Sequence, residues 1–289
     1  MRRAKARSES PWRRRTGRRR RFRKFDLHQA LFVLPNAITL AAVFCGFNAI
    51  RIVASASPEG LERTADFYQA ALLLVFSMFF DLMDGRVARL TRTQSSFGLQ
   101  MDSLADIVSF GVAPALLIHQ WALYRLPTLG LAVSFVFVAC AAIRLARFNV
   151  LSAGGDGAPL VPSKYIVGLP SPPASGVLIS LVVASHASGG FLEGPQYTWM
   201  ILIVTLAMGV LMVSNVRFRS FKDLRPTVSS IALVLFVICS SIYVWQQFRP
   251  QFVLLWLLMF YVLIGLFETT KEMSRRLLQG EGDARDQSS

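Results

Sequence analysis

Four aspartates recur at short intervals in one stretch of the chain: Asp81, Asp84, Asp102 and Asp106. Each lies at the edge of a strongly apolar run, where keeping an ionised carboxylate costs several kcal/mol at membrane depth. Carboxylate oxygens, in a stretch without His or Cys, favour Mg²⁺ or Mn²⁺ over zinc. The group therefore predicts a divalent-metal site, and two ions held together could clamp the oxygens of a diphosphate during a displacement.

The spacing of the aspartates predicts how they meet. Asp81 and Asp84 are three residues apart, and Asp102 and Asp106 are four apart. Both spacings place a pair of side chains on one face of a helix. Two adjacent helix ends would then bring the four carboxylates together at one site. Since four negative charges are too costly there without partners, cations must share the site.

Glycines and arginines are interleaved with the acids. Gly85 and Gly98 remove side chains where a ligand or a neighbouring helix must approach closely. The arginines that follow Gly85 can offer charge and forked donors to phosphate oxygens: Arg86, Arg89 and Arg92. The residues alone leave two interpretations open, an enzyme acting on a diphosphate and a transporter that uses the acidic cluster for ions or protons.

The elements that must position these residues are membrane helices. The 289-residue chain is 53% hydrophobic, has a mean hydropathy of +0.46 and carries a formal net charge of +14. A hydrophobic yet basic composition fits a membrane protein whose charge is confined to loops and tails. Runs of about 20 apolar residues predict an all-α integral membrane protein, a bundle of about eight transmembrane helices. The predicted spans are 31–53, 67–84, 103–124, 128–148, 168–187, 197–215, 227–246 and 251–268.

The positive residues predict the orientation. All but four of the 31 Lys and Arg fall in the two tails and in alternate loops. The exceptions are Arg51, Arg63, Arg125 and Arg249. The positive-inside rule therefore predicts that both termini are cytoplasmic. All four aspartates then lie at the cytoplasmic ends of the second and third spans, so the site of a multi-pass cell-membrane protein faces the cytoplasm.

The tails are predicted to be separate from the membrane domain at 25–268. Residues 1–24 form a basic, disordered cytoplasmic tail, and residues 269–289 form a polar one. Arginine runs can bind nucleic acid, but no aromatic pattern or fold motif supports that here, and we expect no nucleic-acid partner. A polybasic segment beside a first span is explained more simply by orientation and contact with anionic membrane lipids.

The complete frame of the acids resembles a family motif. Residues 81–106 match the CDP-alcohol phosphotransferase pattern DxxDGxxARx8GxxxDxxxD at every position and gap. The resemblance implies a six-helix core with additional C-terminal helices, which moves a substituted phosphoryl group from a CDP-linked donor to an alcohol. It implies Asp81, Asp84 and Asp102 as ligands of the divalent metals, and Asp106 as the base that can also touch a metal. It also implies a CDP pocket lined by Gly85, Ala88, Arg89 and Gly98.

Weaker matches elsewhere resemble the phosphatidylserine synthases of that family. They are the segments 34–40, 44–47, 109–115, 144–149, 168–174 and 211–222. They imply CDP-diacylglycerol as donor, L-serine as acceptor and a homodimer. Another acceptor, such as inositol phosphate, glycerol phosphate or choline, stays open. Arg144 and Arg147 are the favoured acceptor-binding residues, with a role as positive-inside or headgroup contacts as the alternative. Asn36 and Thr39 are candidate nucleotide contacts, or else make hydrogen bonds between packed helices.

Overall fold

A computed structural model describes residues 27–266 of the chain, apart from 57–60, 92–95, 154–164, 220–227, 248–249 and 251. Its helices are α1 (Leu27–Ala54), α2 (Leu61–Leu90), α3 (Ser96–Asp106), α4 (Ala113–Trp121), α5 (Pro127–Ala153), α6 (Ser171–Ala187), α7 (Thr198–Val213), α8 (Val228–Gln247) and α9 (Phe252–Leu266). A π-helical segment, Ile107–Val112, joins α3 to α4. Two short strands, β1 (Tyr165–Val167) and β2 (Arg217–Arg219), form an antiparallel pair. Both predicted tails lie outside the described residues.

The helices coincide with the predicted apolar runs. The third run is covered by α3, the π segment and α4 together, and each of the other seven overlaps one helix. Within the described part of the chain, four segments are long and apolar enough to cross a membrane: Leu34–Ala54, Phe97–Trp121, Pro127–Val150 and Pro195–Val213. The prediction of a helical membrane protein is confirmed to this extent, while the number of spans and their orientation stay predictions.

The distribution of side chains is that of a bundle immersed in lipid. Large apolar residues face outwards, with Phe44 67% exposed and Phe135 69% exposed. Hydroxyl groups lie inside: Ser77, Ser180 and Thr205 are fully buried. Each of these hydroxyls donates to a backbone carbonyl, so its proton is hydrogen-bonded in the interior. A surface of this kind would be unfavourable in water and is favourable against acyl chains.

Helix α6 lies at the centre of the bundle. It is buried around most of its circumference and packs against α2, α4 and α7. Its small residues Ala174, Ser175 and Gly176 let neighbouring helices approach closely, as is typical of helix contacts in membranes. Ser175 Oγ donates back to the Ser171 carbonyl at 2.8 Å, which satisfies the buried hydroxyl without a partner on another helix.

Helices α1 and α2 pack along each other and carry the first half of the site. Both helices also contact the π segment, and α1 approaches it most closely at Gly46. A Cβ on Gly46 would lie 2.8 Å from Ser109 Oγ, so a glycine is needed for the approach. Ser109 Oγ donates to the Ala42 carbonyl at 3.3 Å, and Ser77 Oγ of α2 donates to the same oxygen at 2.9 Å. The segments 44–47 and 109–115, both noted in the sequence, therefore meet in space.

The strand pair was not predicted from the sequence. Its register pairs Tyr165 with Arg219 and Val167 with Arg217. The chain leaves β1 through Gly168, whose φ of +83° is the left-handed conformation that favours glycine. A Cβ at Gly168 would also overlap the Met212 carbonyl oxygen. The ribbon thus ties the start of α6 to the end of α7, and Gly168 and Leu169 donate to the carbonyls of Val216 and Leu211.

Candidate active site

Three of the four aspartates form one tight group. Asp81 lies near the end of α2, whereas Asp102 and Asp106 lie on α3, after the chain has reversed direction. One carboxylate oxygen from each of the three lies within 4.8 Å of the other two. The helical spacing that placed Asp102 and Asp106 on one face is therefore observed. Of the first pair, Asp81 joins the second pair in this group.

Asp84 occupies a deeper position beside this group. It is 4% exposed and interacts electrostatically with Asp81 and Asp102. Thr39 Oγ1 of α1 lies 2.6 Å from Asp84 Oδ2 and 3.1 Å from the Pro35 carbonyl. At 2.6 Å the hydroxyl donates a short, charge-assisted hydrogen bond to the carboxylate. This hydrogen bond joins packed helices, and a nucleotide contact of Thr39 stays a prediction.

A π-helical segment begins directly after Asp106. The Ala113 amide donates to the Val108 carbonyl five residues earlier, which is the widened hydrogen-bonding pattern of a π turn. Pro114 explains the distortion, since its ring lacks an N–H and would clash with the carbonyl four residues before it. Such segments are frequent at functional sites. The widened turn rotates α4 relative to α3 and leaves Asp106 at the boundary.

Arg144 of α5 interacts with the acidic group. Its guanidinium interacts electrostatically with Asp106, and its Nη1 donates to Ser171 Oγ at 2.7 Å. Arg144 Nε is buried and has no hydrogen-bond partner among the described residues. A buried guanidinium nitrogen without a partner is costly, and a bound anionic group would satisfy it.

Two further polar contacts involve residues close in sequence to Arg144 and Asp102. Arg147, one turn after Arg144, is exposed and donates to Asn215 Oδ1 at 3.2 Å, just before β2. Asn149 pairs with Ser103, the neighbour of Asp102, with Asn149 Nδ2 3.0 Å from Ser103 Oγ. The Ser103 pair and the role of Ser171 were not found by sequence reasoning, because they join positions 46 and 27 residues apart with no local pattern.

The residues predicted to bind CDP lie around the same helix ends. A Cβ on Gly85 would meet only Arg89 Nη2, at 3.9 Å, so packing among the described residues does not require glycine there. Arg89 is exposed and donates from Nε to the Gly85 carbonyl at 2.8 Å. Gly98 lies in the first turn of α3, Ala88 is partly buried on α2, and Asn36 is partly buried one turn before Thr39. The structure brings Thr39 to the acids and leaves space over Gly85.

The donor set fits a divalent metal ion. Three carboxylate oxygens converge from two helices, with a fourth carboxylate beside them and no His or Cys among the group. All-oxygen donors of this kind suit Mg²⁺ or Mn²⁺. Bound cations would relieve the mutual repulsion among the four acids. The geometry and the charge of the group therefore both indicate a cation site.

Residues 32–211 match the family model described as CDP-alcohol phosphatidyltransferase. The chain belongs to this family of enzymes, and divalent metals are generally used within it. The matched segment begins in α1 and ends in α7, so it contains all four aspartates and Arg144. Helices α8 and α9 lie beyond it.

Several curated relatives of this chain share one enzyme name. The chain is 40% identical over 205 residues to the CDP-diacylglycerol–serine O-phosphatidyltransferase of Helicobacter pylori, covering 71% of this chain and 79% of the relative. It is 31% identical over 189 residues to the protein of that name from Bacillus subtilis, covering 65% of this chain and 91% of the relative. With the protein of that name from Mycobacterium tuberculosis H37Rv it shares 29% identity over 215 residues, or 73% of this chain and 70% of the relative.

Proposed function

We propose that this protein is a phosphatidylserine synthase, which transfers the phosphatidyl group of CDP-diacylglycerol to the hydroxyl of L-serine and releases CMP. The observation that carries the proposal is the convergence of Asp81, Asp102 and Asp106 within 4.8 Å, beside a buried Asp84. In a family that transfers groups from CDP-linked donors, such a cluster suits the diphosphate. The names of the relatives support serine as the acceptor.

The four aspartates have distinct tasks in this proposal. Asp81, Asp84 and Asp102 would hold the divalent metal, Mg²⁺ or Mn²⁺, as two ions. Asp106 belongs to the three-carboxylate group, which supports a contact with metal in addition to its role as base. When bound, the metal neutralises the diphosphate and stabilises the charge that develops on the departing CMP.

The reaction is a single in-line displacement at phosphorus. The carboxylate of Asp106 accepts the proton of the serine hydroxyl. The serine oxygen forms a bond to the phosphorus that carries diacylglycerol, and the bond from that phosphorus to the oxygen of CMP breaks. Arg144 is electrostatically linked to Asp106, and its buried Nε has no partner in the described part of the chain, so it is suited to hold the serine carboxylate beside the base. Arg147, exposed nearby, is a second acceptor contact.

The CDP moiety occupies the space over the end of α2. Gly85 leaves that space free, and Ala88 keeps the next turn small. Arg89 supplies a guanidinium, while Gly98 and Asn36 complete the pocket from α3 and α1. Thr39 contributes through its hydrogen bond to Asp84.

The membrane arrangement follows from the charge distribution. Residues 25–268 form about eight transmembrane helices of a multi-pass cell-membrane protein, with both termini and the active site on the cytoplasmic side. The basic segment 1–24 contacts anionic lipids, 269–289 is a polar cytoplasmic tail, and the enzyme is a homodimer that binds no nucleic acid. This placement keeps the acyl chains in the bilayer while CDP and serine approach from water.

The decisive test is a transfer assay with the purified full chain in detergent or vesicles. CDP-diacylglycerol and labelled serine should yield labelled lipid and an equal amount of CMP, and chelation should abolish the reaction until Mg²⁺ or Mn²⁺ is restored. Asp106→Asn should abolish turnover but keep donor binding. Asp66→Asn, on the same helix as Asp81 and about 22 Å away along its axis, is the matched control and should keep activity.

Three outcomes would contradict the proposal in different ways. Transfer to glycerol phosphate, inositol phosphate or choline, but not to serine, would leave the chemistry and change the acceptor. Ion or proton flux through vesicles without CMP release would favour a transporter. Full activity without divalent metal would refute the assignment of the aspartates as metal ligands.

A further inference from the structure

Two of the four arginines that lie outside the predicted cytoplasmic regions meet at the end of the bundle opposite the aspartates. Arg63 lies in the first turn of α2, and Arg125 ends the 3-10 turn Leu123–Arg125 between α4 and α5. Arg63 and Asp81 lie on one continuous helix, about 27 Å apart along its axis. Since the hydrocarbon core of a bilayer is about 30 Å thick, this arginine pair lies near the membrane interface opposite the acids.

Arg63 is held in place by a helix end and two aromatic rings. Its Nη2 donates to the Gln120 carbonyl in the last turn of α4 at 2.6 Å, which satisfies one of the carbonyls that a helix end leaves open. Its guanidinium carbon lies 4.9 Å from the ring centre of the buried Phe67 and 4.8 Å from that of Tyr124. Both distances are typical of cation–π contacts. These contacts fix the Arg63 guanidinium beside Tyr124.

Arg125 shares the ring of Tyr124 with Arg63. Its guanidinium carbon lies 5.0 Å from the ring centre, so the two guanidinium carbons are no more than about 10 Å apart. Like charges at this separation repel each other, and an anion between them relieves the repulsion. Arg125 is partly exposed, but its Nη1 is buried and has no hydrogen-bond partner among the described residues. Such a nitrogen is costly, and a bound anion would satisfy it. The carboxylate of Glu193, at the same end of the bundle, accepts from Thr64 Oγ1 at 3.3 Å.

We propose that Arg63 and Arg125 form a binding site for the phosphate group of a membrane phospholipid, in the leaflet opposite the aspartates. A phosphate carries the negative charge and the several acceptor oxygens that suit two guanidinium forks. The neighbouring surface favours a lipid as the source of that phosphate. Leu129 and Leu131, in the first turns of α5, are 52% and 61% exposed and offer apolar contact to acyl chains. Because the site joins α2 to the connection between α4 and α5, a bound lipid stabilises the packing of these helices by mass action.

The test is a titration of the purified full chain in detergent with dihexanoyl-phosphatidylglycerol, followed by melting temperature and by native mass spectrometry. The lipid should stabilise the unaltered protein. Arg125→Gln should bind it roughly 10-fold or more weakly, since a hydrogen bond to a charged group is lost. Without lipid its melting temperature should change little, because Arg125 Nη1 has no partner to lose in the described part of the chain and repulsion from Arg63 is removed.

Arg51→Gln is the matched control for Arg125→Gln. It removes the same charge at the same end of the bundle, where Arg51 is exposed in the last turn of α1 and donates from Nε to Asn48 Oδ1 at 2.9 Å. Its affinity for the lipid should equal that of the unaltered protein.

Tyr124 supplies a second pair of variants that leaves both arginines in the chain. Tyr124→Phe keeps the aromatic ring and should bind the lipid as the unaltered protein does. Tyr124→Leu removes the ring that both guanidinium groups contact, and it should bind the lipid roughly 2- to 5-fold more weakly. Equal affinities for Tyr124→Phe and Tyr124→Leu would show that the ring has no part in holding the arginine pair for a phosphate, against the proposal.

Three further outcomes would overturn the proposal. An unchanged lipid affinity in Arg125→Gln would show that the arginine pair binds no lipid phosphate. An equal loss of affinity in Arg51→Gln would show that net charge alone attracts the lipid. Equal stabilisation by dihexanoylglycerol, which lacks the phosphate, or by inorganic phosphate at the same concentration would exclude a phospholipid phosphate as the ligand. These measurements do not use the transfer reaction, so their outcome is independent of the proposed function.

Discussion

Removing the hydroxyl of Thr39 should weaken metal binding rather than substrate binding. Thr39 and Asp84 are 6% and 4% exposed, and their oxygens lie 2.6 Å apart. Thr39→Val keeps the shape of the side chain and deletes only the donor. A hydrogen bond to an ionised group contributes about 1.5–3 kcal/mol, so the apparent affinity for metal should fall roughly 10- to 150-fold. Metal affinity or activity typically falls roughly 10- to 100-fold when a hydrogen-bond partner of a metal ligand is removed.

The assay is a titration of Mg²⁺ or Mn²⁺ at saturating CDP-diacylglycerol and serine, with initial rates of CMP release. Thr39→Ser retains a hydroxyl and should behave nearly as the unaltered protein. The matched control is Ser77→Ala, on the same pair of helices, which loses a buried 2.9 Å hydrogen bond to the Ala42 carbonyl. It should lower the melting temperature without moving the metal titration.

Two results would refute this reasoning about Thr39. An unchanged metal half-saturation point in Thr39→Val, with a raised KM for CDP-diacylglycerol, would make Thr39 a nucleotide contact. An equal shift in Ser77→Ala would show that any loosening between α1 and α2 disturbs the site, and that the hydrogen bond to Asp84 has no special part.

Paired glycine substitutions give the remaining predictions. Gly85→Ala should leave the melting temperature unchanged and raise the KM for CDP-diacylglycerol, because its Cβ would enter the space assigned to the donor. Gly46→Ala should do the reverse and lower the melting temperature, because its Cβ would press on Ser109 of the π segment. Gly168→Ala should destabilise the protein by at least about 1 kcal/mol more than Gly189→Ala. Both positions have positive φ, which costs about 1–2 kcal/mol for alanine, but only Gly168 would also overlap a carbonyl. Melting in detergent and donor titrations measure these effects, and equal behaviour within either pair would contradict them.

Much of the helical framework could be predicted from the sequence, for a local reason. Apolar runs of membrane-spanning length specify helices wherever they occur, because backbone hydrogen bonds must be satisfied inside the segment. The spacing of Asp102 and Asp106 likewise predicts a shared face from helix geometry alone. The family frame from Asp81 to Asp106 is also a matter of spacing along the chain. These predictions needed no knowledge of which helices become neighbours.

The tertiary structure decided which partners each functional group has. That Asp81 joins Asp102 and Asp106, while Asp84 is bound by Thr39 of another helix, depends on how α1, α2 and α3 pack. The contact between Thr39 and Asp84 joins residues 45 positions apart and leaves no periodic trace in the sequence.

The same holds for the surroundings of Arg144. Its positive charge was evident from the sequence, but its hydrogen bond to Ser171 arises only when α5 and α6 meet. The π turn after Asp106 is intermediate, since Pro114 gives a local cause but does not determine where the widened turn is placed. The sequence by itself determined the chemistry available to this protein. Packing determined the geometry in which the groups meet, because close contacts between helices depend on the shapes of surfaces that are distant along the chain.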